Sequence, residues 1–376
     1  MHNNNSILVP TTIVSIKSFL LFSILFYLPI YFSGIGFSGF EIGILLSVFS
    51  ITALASSFLA GLLSDRFPVR YLSALSFFLM VAYVTCLSLT GDFWIILAAF
   101  FVGGLGNNIA DISLTSFVLK VTERKDSGTR LGVFNSIKTL AAGLGALTGG
   151  MLIAYLSFRK VFMVIALLFF VTILFTLGVR KIGTVRCSME HYKGDLWKKE
   201  ILYFILLIFV FTLHWGAEGT SYSLLLKEYF GLGQNAIALY VGSVWILYAF
   251  FIYLVSRKIT ETTSMHRIIY PGLILSGLGH ILFIYPSLPV SYLFRLVHEL
   301  GDAAFEMFLL VGIHRYFPSE RIGGTSGVVL TVTIGGRLVG SLVFGPVGDF
   351  FGYHYPFILS GILTLLCLCI ADKCKW

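Results

Sequence analysis

Arg295, Glu299, Asp302 and Glu306 are spaced at i, i+4, i+7 and i+11. At 3.6 residues per turn, that spacing lines four ionisable side chains along one face of a helix. His298 flanks them, three residues after Arg295 and four before Asp302. The surrounding run is apolar, and a charge at mid-bilayer costs at least about 2.5 kcal/mol. Such side chains must face a wet cavity or one another. The chemistry open to them is proton transfer between carboxylates and an imidazole in the field of an arginine. His214 and Glu218, one turn apart in another apolar run and followed by Ser221 and Tyr222, offer the same chemistry. Glu218, Asp302 and Glu306 are therefore candidate proton carriers. His298-Glu299 begins like the H-E-x-x-H zinc motif, but position 302 is Asp. No resident metal, cofactor or hydrolytic activity is expected.

Other polar side chains fall within apolar stretches. Asp111 and Lys138 lie at similar depth in neighbouring spans and are expected to pair; Asp302 and Arg337 are depth-matched in the same way. Asn107 and Asn135 can hydrogen-bond a solute or a neighbouring helix. Tyr27, Tyr31, Trp215 and Tyr222 are candidate cavity-lining aromatics.

The elements that position these groups follow from composition. Only 12% of 376 residues are charged and 57% are hydrophobic, too little charge to cover a soluble protein of this size. Spanning the hydrocarbon takes roughly 20 helical residues. Twelve spans are expected, at about 12–33, 39–64, 70–90, 93–118, 130–156, 160–179, 201–227, 236–256, 267–285, 289–314, 323–348 and 353–371. Runs such as 162–179 and 201–213 do not alternate in polarity, which excludes strands. The net charge of +8 reflects orientation rather than nucleic-acid binding. The loops on one face carry most of the Lys and Arg, whereas the opposite loops carry Arg159, Lys160 and Lys227. This bias implies an inner-membrane protein with both termini in the cytoplasm. The five Cys lack metal-type spacing, and Cys187 and Cys374 fall on the reducing side, so no disulfide framework follows. No G-x-x-x-x-G-K-[ST] phosphate loop occurs.

Residues 105–162 and 300–357 repeat one another at an offset of 195 without a gap. Gly106 matches Gly301, Gly132 matches Gly327, Gly145 matches Gly340 and Gly150 matches Gly345, while Asn107 falls on Asp302 and Asp111 on Glu306. The offset is about half the chain. Two six-helix halves, 1–180 and 201–376, are expected around a polar linker at 181–200. A doubled helical bundle is the architecture of secondary transporters.

After the second span the chain reads Gly61-Leu-Leu-Ser-Asp65-Arg66-Phe-Pro-Val-Arg70. This resembles the signature of the major facilitator superfamily, except that Pro68 stands where Gly is usual. The resemblance implies an all-α membrane fold of twelve helices in two pseudo-symmetric halves. It also implies a cytoplasmic gate made of Gly61, Asp65, Arg66 and Arg70. The second-half counterpart, near Ser256-Arg257-Lys258, lacks the Asp. Gly143, Gly145, Gly149 and Gly150 resemble the glycine-rich fifth-helix motif of proton-driven exporters, with Ala146 in the place of its Pro; ordinary close helix packing explains them equally well.

The expected function is secondary active transport of a small solute by alternating access, coupled to protons. Export by antiport is the first reading. Proton symport of a sugar-like or organic-acid solute is the alternative, and a non-transporting sensor the third. The expected partners are the solute, protons and lipid, with the chain acting as a monomer.

Overall fold

A computed structural model describes residues 5–180 and 189–373. The start of the linker, with Lys181, Arg186 and Cys187, and also Cys374 lie outside the described residues. The described chain is helical throughout. The first six spans are α1 (Asn5–Leu25) with α2 (Leu28–Gly34), α3 (Gly39–Arg66), α4 (Val69–Leu89), α5 (Phe93–Val121), α6 (Ser127–Tyr155) and α7 (Phe158–Thr176). A short α8 (Met189–Leu196) lies in the linker. The remainder are α9 (Lys199–Leu224), α10 (Gln234–Ser256), α11 (His266–Leu282), α12 (Leu288–Tyr316), α13 (Ile322–Phe351) and α14 (Tyr355–Ala371).

Among the described residues, nine helical segments are long and apolar enough to cross a membrane. The other three expected spans are α11 and α14, each of 17 residues, and the charge-bearing α12 of 29 residues. The first span is broken between α1 and α2, where Pro29 enters the first turn of α2 and supplies no backbone N–H. Ser38 and Glu41 cap α3 reciprocally, Ser38 N donating to Glu41 Oε2 at 2.8 Å and Glu41 N to Ser38 Oγ at 3.3 Å. Asp92 Oδ1 accepts from Trp94 N and Ile95 N, each at 3.0 Å, and so starts α5.

The chain forms two compact units. Unit one comprises Met1–Val121, Ile137–Cys187 and Pro318–Thr331; unit two comprises Thr122–Ser136, Ser188–Phe317 and Val332–Trp376. The helices α6 and α13 thus contribute to both.

Glycine sets the closest helix approaches in each unit. In unit one, a Cβ at Gly145 or Gly149 of α6 would collide with the backbone carbonyls of Phe19 or Ser23 in α1. In unit two, a Cβ at Gly340 of α13 would collide with the carbonyl of Leu213 in α9, and one at Gly336 with Thr212. Gly145 and Gly340 are repeat partners, so both repeats pack the same helix against their own first helix. Small residues permit this contact in a membrane, where apolar side chains gain little by leaving lipid. Gly340→Val should destabilise the folded protein by about 1–3 kcal/mol through overpacking. The measurement is thermal unfolding in detergent; an unchanged midpoint would show that α9 and α13 can separate freely.

Candidate functional site

In unit two, α9, α11 and α12 converge on one charged cluster. The spacing read from the sequence puts the side chains of α12 on a common face, and the structure turns most of that face inward. Arg295 is 2% exposed, His298 0%, Glu299 5% and Asp302 3%. Arg295 Nη1 donates to Glu218 Oε1 of α9 at 2.5 Å, and Nη2 to Glu299 Oε1 at 2.5 Å. The guanidinium carbon lies 4.4 Å from the ring centre of Tyr222 and 5.6 Å from that of Phe283. Aromatic faces stabilise a desolvated cation by roughly 2 kcal/mol. One arginine therefore ties two carboxylates and two helices together.

The imidazoles extend this cluster. His298 Nε2 is 3.0 Å from Glu218 Oε1, and its Nδ1 is 2.9 Å from the Ser276 carbonyl of α11. His214 Nε2 is 3.1 Å from Asp302 Oδ2, and its Nδ1 is 2.6 Å from the Phe211 carbonyl. Each ring thus faces an acceptor at both nitrogens. A neutral imidazole has a single N–H, so each His–carboxylate pair needs one further proton, on the ring or on the acid. Charge balance gives the same answer. The cluster buries three carboxylates, Glu218, Glu299 and Asp302, with Arg295 shared between the first two, so protons held between the acids and the imidazoles reduce its excess negative charge. Glu218 is the opening to water: its side chain is 20% exposed, against 7% for Glu299 and 4% for Asp302.

Asp302 differs from its expected pairing. It accepts from Ser276 Oγ at 2.7 Å and Trp215 Nε1 at 2.8 Å as well as contacting His214. Arg337 is not its partner. The Arg337 guanidinium lies over Gly219 of α9, within the field of Glu218. The acceptor sites of Asp302 are filled by groups on α9 and α11, which depth matching along two spans cannot reveal. Glu306 accepts from Asn135 Nδ2 at 3.2 Å.

Sequence reasoning missed Ser276 and His280 of α11. His280 is 0% exposed, with its ring centre 4.4 Å from that of His298. A histidine midway along an apolar span was the available signal. The ligand atoms of His214, Glu218 and His298 lie within 4.8 Å of one another. A cation there would have to displace Arg295 from Glu218 or sit beside a guanidinium, so no metal is assigned.

Unit one carries a second polar group. Asp111 of α5 pairs with Lys17 of α1, Oδ2 to Nζ at 2.6 Å, and Lys17 also donates to Asn107 Oδ1 at 2.7 Å. The expected Asp111–Lys138 ion pair is not formed. Packing of α1 against α5 brings Lys17 to the acid, a neighbour that depth matching between α5 and α6 does not reveal. Tyr27 OH donates to the Ala146 carbonyl at 2.6 Å, and Tyr31 OH to that of Leu87 at 3.2 Å. Both hydroxyls are thereby committed to backbone.

The Gly61–Arg70 segment builds a third site, also in unit one. Asp65 is 0% exposed. Its carboxylate meets Lys120 Nζ at 2.7 Å and accepts from Gly323 N at 3.0 Å and Gly324 N at 2.7 Å. The acid thus caps the positive N-terminal end of α13. A Cβ at Gly61 would meet the Gly323 carbonyl, which is why glycine is needed there. Arg70 lies outside this contact and donates to Tyr71 OH at 2.6 Å; Arg66 is exposed. In unit two the corresponding basic residue, Arg315, donates to the carbonyls of Thr260 and Thr263, each at 2.8 Å.

Helical bundles with buried ion pairs in each of two repeats are compatible with a membrane transporter, and the family match decides. Residues 11–270 and 204–371 match the Major Facilitator Superfamily. The chain belongs to the Major Facilitator Superfamily. It is a transporter rather than an enzyme. Its fold matches the human organic anion transporter MFSD10, with TM-score 0.78 and 15% identity over 97% of this chain and 98% of that one. It likewise matches the fucose:proton symporter FucP of E. coli, with TM-score 0.78 and 14% identity over 99% and 100%. Multidrug resistance protein MdtH of Enterobacter sp. (strain 638) is 25% identical over 162 residues, covering 42% of this chain and 40% of that relative. The chain is an integral, multi-pass membrane protein of this superfamily.

Replacing Asp65 by Asn leaves Lys120 buried without its counter-charge, a change worth about 3 kcal/mol. The thermal midpoint in detergent should fall, and Lys120→Met added to Asp65→Asn should recover part of the loss. Equal midpoints for the wild type and Asp65→Asn would remove the clamp.

Proposed function

We propose that this chain is a proton-coupled secondary transporter working by alternating access, with export of a solute by proton antiport as the first reading. The observation that carries it is the link from α9 to α12 through Arg295, Glu218 and His298. A proton arriving at Glu218, the most exposed acid of the cluster, removes an acceptor from both Arg295 and His298. Arg295 keeps Glu299 on its own helix, so it is not stranded without a counter-charge. The α9–α12 link loosens, and that change is the coupling step. Asp302 holds the second proton with His214. Glu306, bonded to Asn135, is a further acid available to the cycle.

The mobile bodies in this proposal are residues 1–180 and 201–376, joined by 181–200. The Asp65 contact with the start of α13 is the gate that must break in each cycle. The charge bias of the loops supports an inner-membrane location with both termini cytoplasmic, and the chain is taken to act as a monomer. Partial similarity to a multidrug resistance protein supports export. Symport is the second reading. It is favoured by the run Arg295, His298, Asp302 on one helix, together with a fold like that of a fucose:proton symporter.

The test is a screen of accumulation and efflux in expressing cells, with the proton gradient intact or collapsed by an uncoupler. Gradient-driven flux should disappear in Glu218→Gln and Asp302→Asn, while solute counterflow persists in proteoliposomes. Uphill transport at wild-type rates in both variants would eliminate the proposed proton route. Absence of counterflow in the wild type would point to a sensor.

A further inference from the structure

The ionised side chains well inside the spans, away from the helix ends, divide unevenly. Every acid has partners: Asp65 with Lys120, Asp111 with Lys17, Glu218 and Glu299 with Arg295, Asp302 with His214, and Glu306 with Asn135. Among the described residues, two cations at such depth have none. Among the described residues, the side chains of Lys138 and Arg337 make no hydrogen bond or ion pair.

Lys138 lies in the part of α6 that belongs to unit one. It sits roughly 16 Å along the helix from Ser127 at 1.5 Å rise per residue, too deep for its ammonium to reach the headgroups. It is half-buried and within the electrostatic field of Lys17 and Asp111. It therefore lies near the Lys17–Asp111 pair of unit one. Asp111 cannot balance it, since Lys17 already holds that carboxylate at 2.6 Å. Two cations and one acid leave a surplus positive charge in an apolar setting. Such a charge costs at least about 2.5 kcal/mol to insert, and Lys138 repays none of this through a bond.

The second repeat has the same property. At the 195-residue offset Lys138 falls on Thr333, one helical turn before Arg337 on the same face of α13. Arg337 is exposed. Each repeat thus keeps one unbonded cation, and no unbonded acid, on its glycine-rich helix.

We propose that the solute is an anion and that Lys138 binds its carboxylate or phosphate group. Lysine, a mobile point charge with three donors, suits either group. This assignment rests on the transporter reading and adds the substrate class to it.

The experiment uses the full chain purified in detergent, with thermal unfolding followed against benzoate, phenyl phosphate, methyl benzoate and benzylamine. These probes share a ring and differ in charge. Benzoate or phenyl phosphate should raise the midpoint, and the ester and the amine should not. Lys138→Met should weaken the anion's apparent affinity about tenfold or more, as expected for loss of a charge-assisted hydrogen bond; Lys138→Arg should retain most of it. If Lys138→Met does not yield folded protein, Lys138→Gln takes its place, and acid-versus-ester discrimination by the wild type still decides. Equal shifts with ester and acid, a shift with the amine alone, no shift with either anion, or undiminished anion affinity in Lys138→Met would each overturn the proposal. The assay needs no gradient. Anion binding without uphill flux would sink the transporter reading and leave Lys138 assigned; uphill flux without anion selectivity would do the reverse.

Discussion

A guanidinium shared between two carboxylates in a low-dielectric setting is the constraint on which unit two depends. Arg295 cannot lose its charge at accessible pH, so something must balance it wherever it goes. Glu299 travels on the same helix, and Glu218 belongs to α9. The intrahelical partner keeps the arginine compensated at all times, which frees the interhelical one to be made and broken. Tyr222 and Phe283 cover the cation where no carboxylate reaches. The two imidazoles complete the arrangement, His298 against Glu218 and His214 against Asp302.

Glycine makes that arrangement possible. The backbone of α13 touches that of α9 at Gly340 and Gly336, and Gly216 of α9 meets Gly340 and Ser341 in turn. On the other side, Gly301 of α12 approaches the backbone of Gly272 and Ser276 in α11, and Gly279 of α11 approaches His298. These contacts bring Ser276 and His280 to the acids and imidazoles of α12. A larger residue at either glycine would push the helices apart and leave buried polar groups unpaired, at about 1–3 kcal/mol for each.

The two repeats share a frame and differ in chemistry. Arg295 corresponds to Phe100, which is buried among Phe32, Phe49 and Tyr83. Asp302 corresponds to Asn107, and Glu306 to Asp111. Unit one therefore has a single intramembrane acid in its cluster and a lysine from α1 to balance it, where unit two has a network able to hold protons. The docking at the helix ends diverges in the same manner. Unit one uses a buried acid, Asp65, and unit two uses Arg315 on backbone carbonyls.

The sequence by itself determined the helical membrane class, the internal repeat, the superfamily and the one-sided polar stripe of α12. The class, the repeat and the stripe are written in local spacing: apolar runs long enough to span a bilayer, a fixed 195-residue offset, and a 3.6-residue period; the superfamily is carried by the resemblance of the Gly61–Arg70 segment to its signature. It also singled out Glu218, Arg295, His298 and Asp302, because an ionised group in an apolar run is conspicuous wherever it packs. Partners were another matter. Depth pairs Asp111 with Lys138, yet Lys17 takes it; depth pairs Asp302 with Arg337, yet Ser276, Trp215 and His214 fill its acceptor sites. The family resemblance implies a gate at Asp65 but gives no sign that the N-terminus of α13, some 258 residues away, is what it holds. Only the tertiary structure decided these pairings. Depth along a helix constrains one coordinate, whereas the identity of a partner depends on which helix lies alongside and how its face is turned.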